Sequence, residues 1–562
     1  MKIIESSNSA CVKNPTDFAS NLDDIHVFTQ FFVHKNKSRY QEIVQSLQLN
    51  ATNPYITKIH LLNERIFSAE ELGSQSHKII QTNIAKRLQY KDVFQYIRTS
   101  MLQGFFVLIN ADIIFDYTIS NLHISTITTQ KEMFAIMRYE YDGSELNMTS
   151  HLESSRVNHY PYNPRFDSQD TWILHSNFNI KTSQEKVFNF EFGKPGCDNK
   201  IIYLMKILGY KIINDPKFIM TYHNHRTQIR DYTVKDVIPP PWGCVVPAYA
   251  DPQSIYPSLG INLHEISKRK QYIGFEDNHF LREYIKTKLN SDQPFVIPRI
   301  SGIENNIAYL ALDSMKNLNR INALLPIMKS NAGIKMTSLE SVRKYSHLYL
   351  EVFNNCSLFA GWEIQGNYIH HIAESHEFII QQFSSKRMIW AFTFDIFHYI
   401  HSSPWTIALQ GRRILIVSPF IESISENIHD RAKLYDGVDL FPNCSFLFIK
   451  PPITLAQENS EEFDVELDHF YKRLDLLQDK YDVALLSCGG YANPVCNYIY
   501  KHHNKSAIYV GGVLQMYFGI LGNRWLLERK DAVNLYINEF WKRPKSSERP
   551  INFTSVENAC YW

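Results

Sequence analysis

The sequence lacks an excess of either charge and lacks the common nucleotide-binding fingerprints. Its 562 residues include 58 Lys and Arg against 57 Asp and Glu, which leaves a formal net charge of +1. This balance gives no electrostatic reason to expect a polyanion, so nucleic acid is not among the predicted partners. The chain contains neither a GxGxxG fingerprint nor a P-loop. A dinucleotide or ATP site of the usual kind is therefore not indicated.

Paired cysteines and long apolar runs are also missing. The eight cysteines are scattered, without the CxxC or CxxH spacing of a zinc site and without the pattern of a disulfide framework. No apolar segment follows Met1, and no run reaches the ~18–20 apolar residues of a membrane-spanning helix. We therefore expect a cytoplasmic protein with reduced thiols and no integral membrane segment.

The composition is that of a globular protein. Apolar residues make up 44% of the chain and aromatic residues 13%, values that distinguish it from a disordered chain. A length of 562 residues is several times that of an ordinary domain. Two or three domains, each with its own core, are therefore expected.

The most informative stretch is a short apolar run, residues 105–109, that ends at the polar residues Asn110 and Asp112. Such a run predicts a strand buried on both faces, and ligands bind at the carboxyl ends of central strands in α/β sheets. A buried strand followed by an Asx turn is the purely structural alternative.

Strand and helix patterns alternate on the amino-terminal side of this run. Apolar strands are predicted at 26–32 and 56–62, with a charged helix between them. This order is typical of a parallel sheet with right-handed crossovers, so the fold class is α/β with mainly parallel sheets. The second strand ends at Asn63 and Glu64, which would then lie at the same sheet edge as Asp112, where a nucleoside could bind.

Further polar groups follow the central run. Asp170 precedes a predicted strand, and a glycine-rich segment leads to Asp198. Asp198 is predicted to cap the amino terminus of a helix at 201–208. A strand pattern then ends in His223 and His225. Carboxylates and imidazoles are the groups expected in acid–base chemistry and at metal sites.

Together these parts resemble a glycosyltransferase domain with the GT-A fold, covering residues 23–235. Asp112 matches the last carboxylate of that family's DxD motif, and Asn110 stands in place of the first. The resemblance implies that Mn²⁺ or Mg²⁺ is held by Asp112 and one of the two histidines. On the assumption that the two imidazoles point apart, His223 is favoured over His225.

The same resemblance implies the other roles in this half. Asp170 or Asp198 would face the acceptor as base or positioning group, and Asn110, Asn63 and Glu64 would bind substrate. The donor would be a nucleotide sugar, with a UDP-sugar the first expectation. The acceptor would be a glycan or glycoconjugate.

A proline-rich stretch at 236–264 separates the two halves of the chain. Its run Pro239, Pro240 and Pro241 is incompatible with a regular helix or a central strand. We therefore place a linker here. Residues 1–22 are polar and are predicted to form a flexible arm.

The second half, residues 265–562, repeats the α/β pattern. Continuous apolar strands typical of a buried parallel sheet are predicted at 413–420, 445–450, 483–487 and 507–511. Two of these strands end in small residues that permit close approach by a ligand. These residues are Gly489, Gly490, Gly511 and Gly512.

The segments around these glycines are similar to glycosyltransferases of the GT-D type from bacterial polysaccharide synthesis. That family has an Arg-x-Gly-Asp-Gly-Glu turn, of which Arg299 and Glu304 are kept here while Gly302 stands in place of the Asp. The resemblance implies that Arg299 and Arg524 bind a diphosphate, whose paired oxygens suit a guanidinium. Glu304 would be a base or metal ligand, although the loss of the Asp argues against a metal in this domain.

The sequence therefore predicts two Rossmann-like α/β domains, GT-A-like and then GT-D-like, that form a bifunctional nucleotide-sugar-dependent glycosyltransferase. In one alternative only one domain is catalytic and the other binds the acceptor. In another, the protein is a non-catalytic glycan-binding or assembly protein, because Asn110 and Gly302 each replace a carboxylate of the related families.

Overall fold

Parallel β-sheets form the centre of both halves of the chain, as the apolar runs predict. The computed structural model describes residues 2–5, 10, 22–146, 148, 168–245, 247–248, 275–362, 373–456 and 459–562. The chain divides into two units, Met1–Lys268 and Arg269–Trp562. Both are α/β, which confirms the predicted fold class. Most of the predicted linker, 246 and 249–264, and residues 265–274 lie outside the described residues.

The described part of unit 1 contains twelve strands and four α-helices. The strands are β1 (Lys2–Glu5), β2 (Ile25–Thr29), β3 (Lys58–Asn63), β4 (Ile79–Asn83), β5 (Phe105–Ile109), β6 (Ile113–Phe115), β7 (Glu132–Ile136), β8 (Tyr139–Glu140), β9 (Thr171–His175), β10 (Lys211–Ile213), β11 (Thr221–His223) and β12 (Trp242–Val245). The helices are α1 (Lys37–Thr52), α2 (Ala69–Leu72), α3 (Tyr90–Thr99) and α4 (Cys197–Ile207).

Seven of these strands form the main sheet, in the order β10-β7-β9-β5-β2-β3-β4. Only β9 runs antiparallel to its neighbours. The central strand β5 is buried at all five positions, as its unbroken apolar sequence predicts. A smaller sheet, β6-β11-β8, continues from the carboxyl end of β5. The two sheets together place Asp112 beside β11.

The first strand of the chain pairs with a strand inside the proline-rich stretch. β1 and β12 run parallel, with Lys2 opposite Trp242. The run of three prolines ends at Pro241 and β12 contains no proline, so every residue of β12 keeps its backbone N–H. Gly243 lets β12 approach α4 closely, since a Cβ there would lie 2.6 Å from the backbone nitrogen of Tyr203. The expectation of an irregular connector therefore does not hold for Trp242–Val245.

The described part of unit 2 contains seven strands and eleven α-helices. The strands are β13 (Val296–Ile297), β14 (Leu358–Gly361), β15 (Arg387–Trp390), β16 (Arg413–Val417), β17 (Ser445–Ile449), β18 (Val483–Leu486) and β19 (Ser506–Tyr509). The helices are α5 (Phe275–Asn290), α6 (Ile303–Leu310), α7 (Leu318–Ile327), α8 (Leu339–Asn355), α9 (Ala373–Gln382), α10 (Ile421–Asn427), α11 (Arg431–Leu434), α12 (Phe463–Asp475), α13 (Ala492–Tyr498), α14 (Asn523–Glu528) and α15 (Lys530–Asn534).

The main sheet of unit 2 is entirely parallel, in the order β13-β19-β18-β16-β17. β14 and β15 form a separate parallel pair. The seven cysteines in the described residues are all free thiols. Within the same part of the chain, no helix combines the length and the apolar character needed to cross a bilayer.

Candidate functional site

A buried carboxylate and two imidazoles meet at the carboxyl end of the main sheet of unit 1. The Oδ2 atom of Asp112 lies 3.2 Å from Nε2 of His223 and 3.9 Å from Nδ1 of His225. One ligand atom from each of the three side chains lies within 4.8 Å of the others, and all three residues are buried. One carboxylate oxygen with two imidazole nitrogens is a donor set able to bind a divalent cation.

The strand connections explain why these three side chains converge. Asp112 lies between β5 and β6, and β11 pairs antiparallel with β6. Beyond β11, the backbone N–H of Asn224 donates to the carbonyl of Asp112 at 2.8 Å. Residues two apart on an extended chain share a face, so His225 points the same way as His223. The expectation that only one of these histidines reaches the carboxylate is therefore wrong.

Hydrogen bonds on the far side of each imidazole set its orientation. Nε2 of His225 lies 2.7 Å from the carbonyl oxygen of Ile229, which can only accept, so His225 donates from Nε2 and turns Nδ1 towards Asp112. Nδ1 of His223 lies 3.2 Å from Oε2 of Glu140. A ligating histidine that donates its other ring N–H to a carboxylate or carbonyl is the usual arrangement around a protein-bound metal.

The charges of the site follow from these contacts. Burial alone would raise the pKa of Asp112, but His223 and Arg39 outweigh it and hold that pKa far below its usual range. Burial likewise opposes protonation of His223, yet Asp112 and Glu140 raise the pKa of His223 to about 9. Burial and then Arg39 lower the pKa of His225. With no cation bound, the site therefore holds an ionised Asp112, a charged His223 and a neutral His225.

Arg39, in the first turn of α1, is a member of the site that the sequence interpretation missed. Its Nη1 donates to Oε2 of Glu42 and to the carbonyl of Asn224, both at 2.9 Å, and its Nη2 donates to Asp112. Glu42 in turn accepts from the backbone N–H of Thr227 at 2.8 Å. The only signal in the sequence is an Arg–Glu pair three residues apart, which looks the same as a surface ion pair.

A second polar group, around Asp170, adjoins the first. Nδ2 of Asn110 donates to Oδ1 of Asp170 at 2.6 Å, and Arg138 forms an ion pair with Asp170. Burial would lower the pKa of Arg138, but the carboxylates of Asp170, Glu140 and Asp112 raise it. Arg138, which the sequence interpretation also missed, thus links the Asp170 group to the Asp112 group.

Asp198 lies in the first turn of α4 and not at its N-cap, so that prediction was wrong. The N-cap is Gly196, which has a φ of 83°. A Cβ at Gly196 would lie 3.1 Å from the carbonyl of Ile238, which favours glycine there. The Asp198 carboxylate accepts the backbone N–H of Gln169 at 3.3 Å. The structure therefore brings Asp198 next to the chain segment that carries Asp170.

The other two residues predicted at this sheet edge, Asn63 and Glu64, have different surroundings. Oδ1 of Asn63 accepts from the backbone N–H of Phe31 at 2.9 Å, and its Nδ2 donates to Gln81 at 3.2 Å. These bonds connect the end of β3 to the segment after β2 and to the middle of β4. Glu64 is exposed. Within the described residues, no hydrogen bond joins either side chain to Asp112.

In unit 2, Arg299 lies against Gly511, one of the four glycines predicted to line a ligand site. Its Nη1 donates to the carbonyl of Val510 at 3.0 Å, and its guanidinium lies 4.6 Å from the ring centroid of Tyr509. A Cβ at Gly511 would lie 2.4 Å from Nη1 of Arg299. Glu304 is buried in the first turn of α6, where burial raises its pKa and Arg299 offsets this only in part.

The remaining predicted residues of unit 2 contact other parts of the chain. Arg524 forms an ion pair with Glu557, and its Nη1 lies 3.5 Å from the hydroxyl of Tyr561. A Cβ at Gly512 would meet the Tyr561 ring at 2.3 Å. The other two glycines pack closely on the backbone carbonyl of Ala332, at 3.0 and 3.1 Å from their hypothetical Cβ atoms; they are Gly489 and Gly490. No group of three metal-binding side chains occurs in the described part of this unit.

Comparison with known proteins finds similarity among solved structures only. No family model and no curated protein matches the sequence. Among solved structures, a similar chain is the mannosyltransferase PcManGT from Pyrobaculum calidifontis in complex with GDP-Man and Mn²⁺. The likeness covers 38% of this chain and 62% of that chain, with 9% identity and a TM-score of 0.25. These values assign no family.

Proposed function

We propose that the protein is a nucleotide-sugar-dependent glycosyltransferase whose reaction takes place at the Asp112 site of unit 1. The observation that carries this proposal is the buried group of Asp112, His223 and His225 at the end of a central strand. The carboxyl end of such a strand is where α/β folds bind nucleotides, and a diphosphate requires concentrated positive charge. The nearby Asp170 and Asp198 supply the carboxylates that an acceptor hydroxyl needs.

The residues present fit a divalent cation, with Asp112, His223 and His225 as its ligands. When bound, the cation would supply positive charge against the leaving diphosphate. Two imidazoles in the set favour a transition-metal ion such as Mn²⁺ over Mg²⁺, which prefers oxygen ligands. Arg39 and Arg138 add fixed guanidinium charges at the same place.

Of these two carboxylates, we assign the role of base to Asp198. Asp170 already pairs with Arg138 and accepts from Asn110, so it holds these groups in place. In a direct displacement, the acceptor oxygen bonds to the anomeric carbon as the bond to the diphosphate oxygen breaks. The hydroxyl proton passes to Asp198, and Asp170 acts as a positioning residue.

A second transferase site in unit 2 is the other candidate function, and one observation favours it. Glu304 is a buried carboxyl whose pKa burial raises, beside the guanidinium of Arg299. An acid of this kind suits proton transfer to or from a bound sugar. A binding module for the acceptor is the alternative for this unit.

Donor binding tests both proposals. Isothermal titration of the full chain with UDP- and GDP-sugars and Mn²⁺ is compared among the wild type, Asp112→Asn and Glu304→Gln. Loss of binding in Asp112→Asn alone supports one donor site in unit 1. Loss of a separate binding event in Glu304→Gln supports a second site. Absence of any donor binding by the wild type would overturn the proposed function.

A further inference from the structure

Two exposed segments lie side by side next to the Asp112 site, and we call them together the rim. They are residues 32–37, which follow β2, and residues 226–237, which follow His225. Nε2 of His34 lies 2.8 Å from Oδ2 of Asp231, so the two segments are in direct contact. The second segment is also attached to the site itself, because Nε2 of His225 donates to a backbone carbonyl within it.

Large apolar side chains of the rim remain in solvent. The exposed fractions are 41% for Phe32, 48% for Val33, 37% for Tyr232 and 89% for Val234. Single exposed apolar residues are normal on protein surfaces, but several on adjoining segments mark a contact surface. The rim is therefore a candidate interaction surface beside the site.

The rim is also strongly basic compared with the rest of the protein. It carries five basic and two acidic residues, a net charge of +3, whereas the whole chain has a net charge of +1. Both acidic side chains are already paired, Asp231 with His34 and Asp236 with Lys194 at 2.5 Å. The basic residues, all exposed, are Lys35, Lys37, Arg226, Arg230 and Lys235.

We propose that the rim docks the protein on an anionic lipid bilayer. Apolar side chains that enter the headgroup region, combined with basic residues that meet lipid phosphates, are the two features that hold a protein at such a surface. Phe32 and Tyr232 are of the aromatic type enriched at the membrane interface. Docking of this kind places the Asp112 site at the bilayer surface. The consequence that the acceptor is held by the same membrane rests on the proposed function, whereas the docking itself does not.

Vesicle co-sedimentation of the full chain tests the proposal. The probes are vesicles of phosphatidylcholine alone and of phosphatidylcholine with phosphatidylglycerol. We expect binding only to the anionic vesicles, weakened by added salt, because exposed charges are screened. Since each basic residue near the surface contributes roughly a fivefold change in binding, the double variant Lys35→Glu with Arg230→Glu should lose at least ~25-fold.

Matched variants separate the rim from general surface effects. Val33→Ser with Val234→Ser should weaken vesicle binding about tenfold or more, because it removes the exposed apolar groups. Leu476→Ser with Leu527→Ser is the apolar control, since both leucines are exposed in unit 2. Lys286→Glu with Lys316→Glu is the charge control, also at exposed positions in unit 2.

Several results would overturn the proposal. One is no binding of the wild type to anionic vesicles, and another is equal loss in the rim variants and the control variants. A third is a rim variant that changes only self-association in light scattering, which would make the rim an interface between copies of the chain. Vesicle binding needs no donor, so a chain that binds vesicles but no nucleotide sugar overturns the proposed function and leaves the docking intact.

Discussion

Arg39 and Asp112 form an ion pair in the interior of unit 1, and each side chain retains only 9% of its exposure. The pair connects the first turn of α1 to the end of β5. Arg39 also pairs with Glu42, and whereas Asp112 has His223 as a second charged partner, Arg39 is the cation that pairs with Glu42. Removing one partner of such a pair leaves charge without compensation in a medium that solvates it poorly.

Replacing Arg39 should therefore be costly. Arg39→Met is expected to lower the free energy of unfolding by about 3–5 kcal/mol, as measured by urea unfolding in the absence of metal. Arg65→Met is the matched control, since Arg65 pairs with Glu71 at an exposed position and little change is expected there. If both variants lose the same free energy of unfolding, the buried Arg39 pair contributes no more to stability than an exposed pair does.

The metal-binding role of the histidines predicts a measurable affinity loss. His225→Ala should weaken Mn²⁺ binding by at least about tenfold, because a group that orients or ligates a metal typically has an effect of that size. Isothermal titration with Mn²⁺ alone measures this without any need for turnover. His77→Ala, at an exposed position, should bind as the wild type does. The assignment of His225 to the donor set is wrong if its variant and the control bind Mn²⁺ equally.

If Asp198 is the base, its replacement should change the rate of sugar transfer without changing donor affinity. Asp198→Asn should lower the rate of sugar transfer by about 10²–10⁴-fold, the usual contribution of a general base, while donor affinity stays the same. Asp170→Asn should lower both, since Asp170 holds Arg138 and Asn110 in place. The measurements are steady-state transfer and donor titration for each variant. If Asp170→Asn alone stops transfer with unchanged donor affinity, the two roles are reversed.

A buried histidine pair away from the site makes stability depend on pH. Nδ1 of His26 lies 3.1 Å from Nε2 of His60, and burial, together with His26, lowers the pKa of His60 to about 3. Above pH 6.5 the imidazole is neutral in both the folded and the unfolded states. Below it only the unfolded chain takes up the proton, so stability falls by up to about 1.4 kcal/mol per pH unit towards pH 3.

The variant His60→Phe isolates this effect. It keeps the ring that stacks on Phe28 at 4.7 Å but cannot be protonated. The wild type should lose more stability than the variant between pH 6.5 and pH 4, as measured by urea unfolding at each pH. His77→Phe is the exposed control and should follow the wild-type curve. Parallel curves for the wild type and His60→Phe would contradict the prediction.

The sequence predicted the strands better than it predicted the site. The strand at Phe105–Ile109 was predicted with the bounds that the structure has. An unbroken apolar run of this length that ends at polar residues is typical of a buried strand. Asp112 with one of the two histidines was predicted from the resemblance to GT-A glycosyltransferases, and the structure brings both histidines to Asp112. Asp198 as a cap was wrong because Gly196 takes that position in a left-handed conformation that no pattern of side chains reveals.

The missed residues share a physical cause. Arg39 and Arg138 act through contacts with residues far along the chain, such as Asp112 and Asp170. In the sequence, a charged residue on a helix or after a strand is indistinguishable from one in solvent. Its burial depends on tertiary packing that local patterns do not encode. Asn63 illustrates the converse case. It was predicted to bind substrate because it lies at a strand end, but its amide is hydrogen-bonded to Phe31 and Gln81, and the sequence does not reveal these contacts.

The contact between Gly511 and Arg299 provides a final prediction, for unit 2. Gly511 has a φ of 84°, and its hypothetical Cβ would lie 2.4 Å from Nη1 of Arg299. Gly437 has a similar φ of 87° but no atom within 4 Å of its hypothetical Cβ. Both Gly→Ala changes introduce backbone strain, whereas only Gly511→Ala also displaces a guanidinium.

Gly511→Ala should therefore destabilise the protein by about 1–3 kcal/mol more than Gly437→Ala, the usual range for overpacking a filled position. The guanidinium cannot move away freely, because it donates to Val510 and lies over the ring of Tyr509. A double-mutant cycle in urea unfolding identifies the cause: with Arg299→Ala in the background, the excess cost of Gly511→Ala should vanish. If Gly511→Ala still destabilises the Arg299→Ala variant more than Gly437→Ala does, the extra cost comes from the backbone conformation of Gly511 and not from the contact with Arg299.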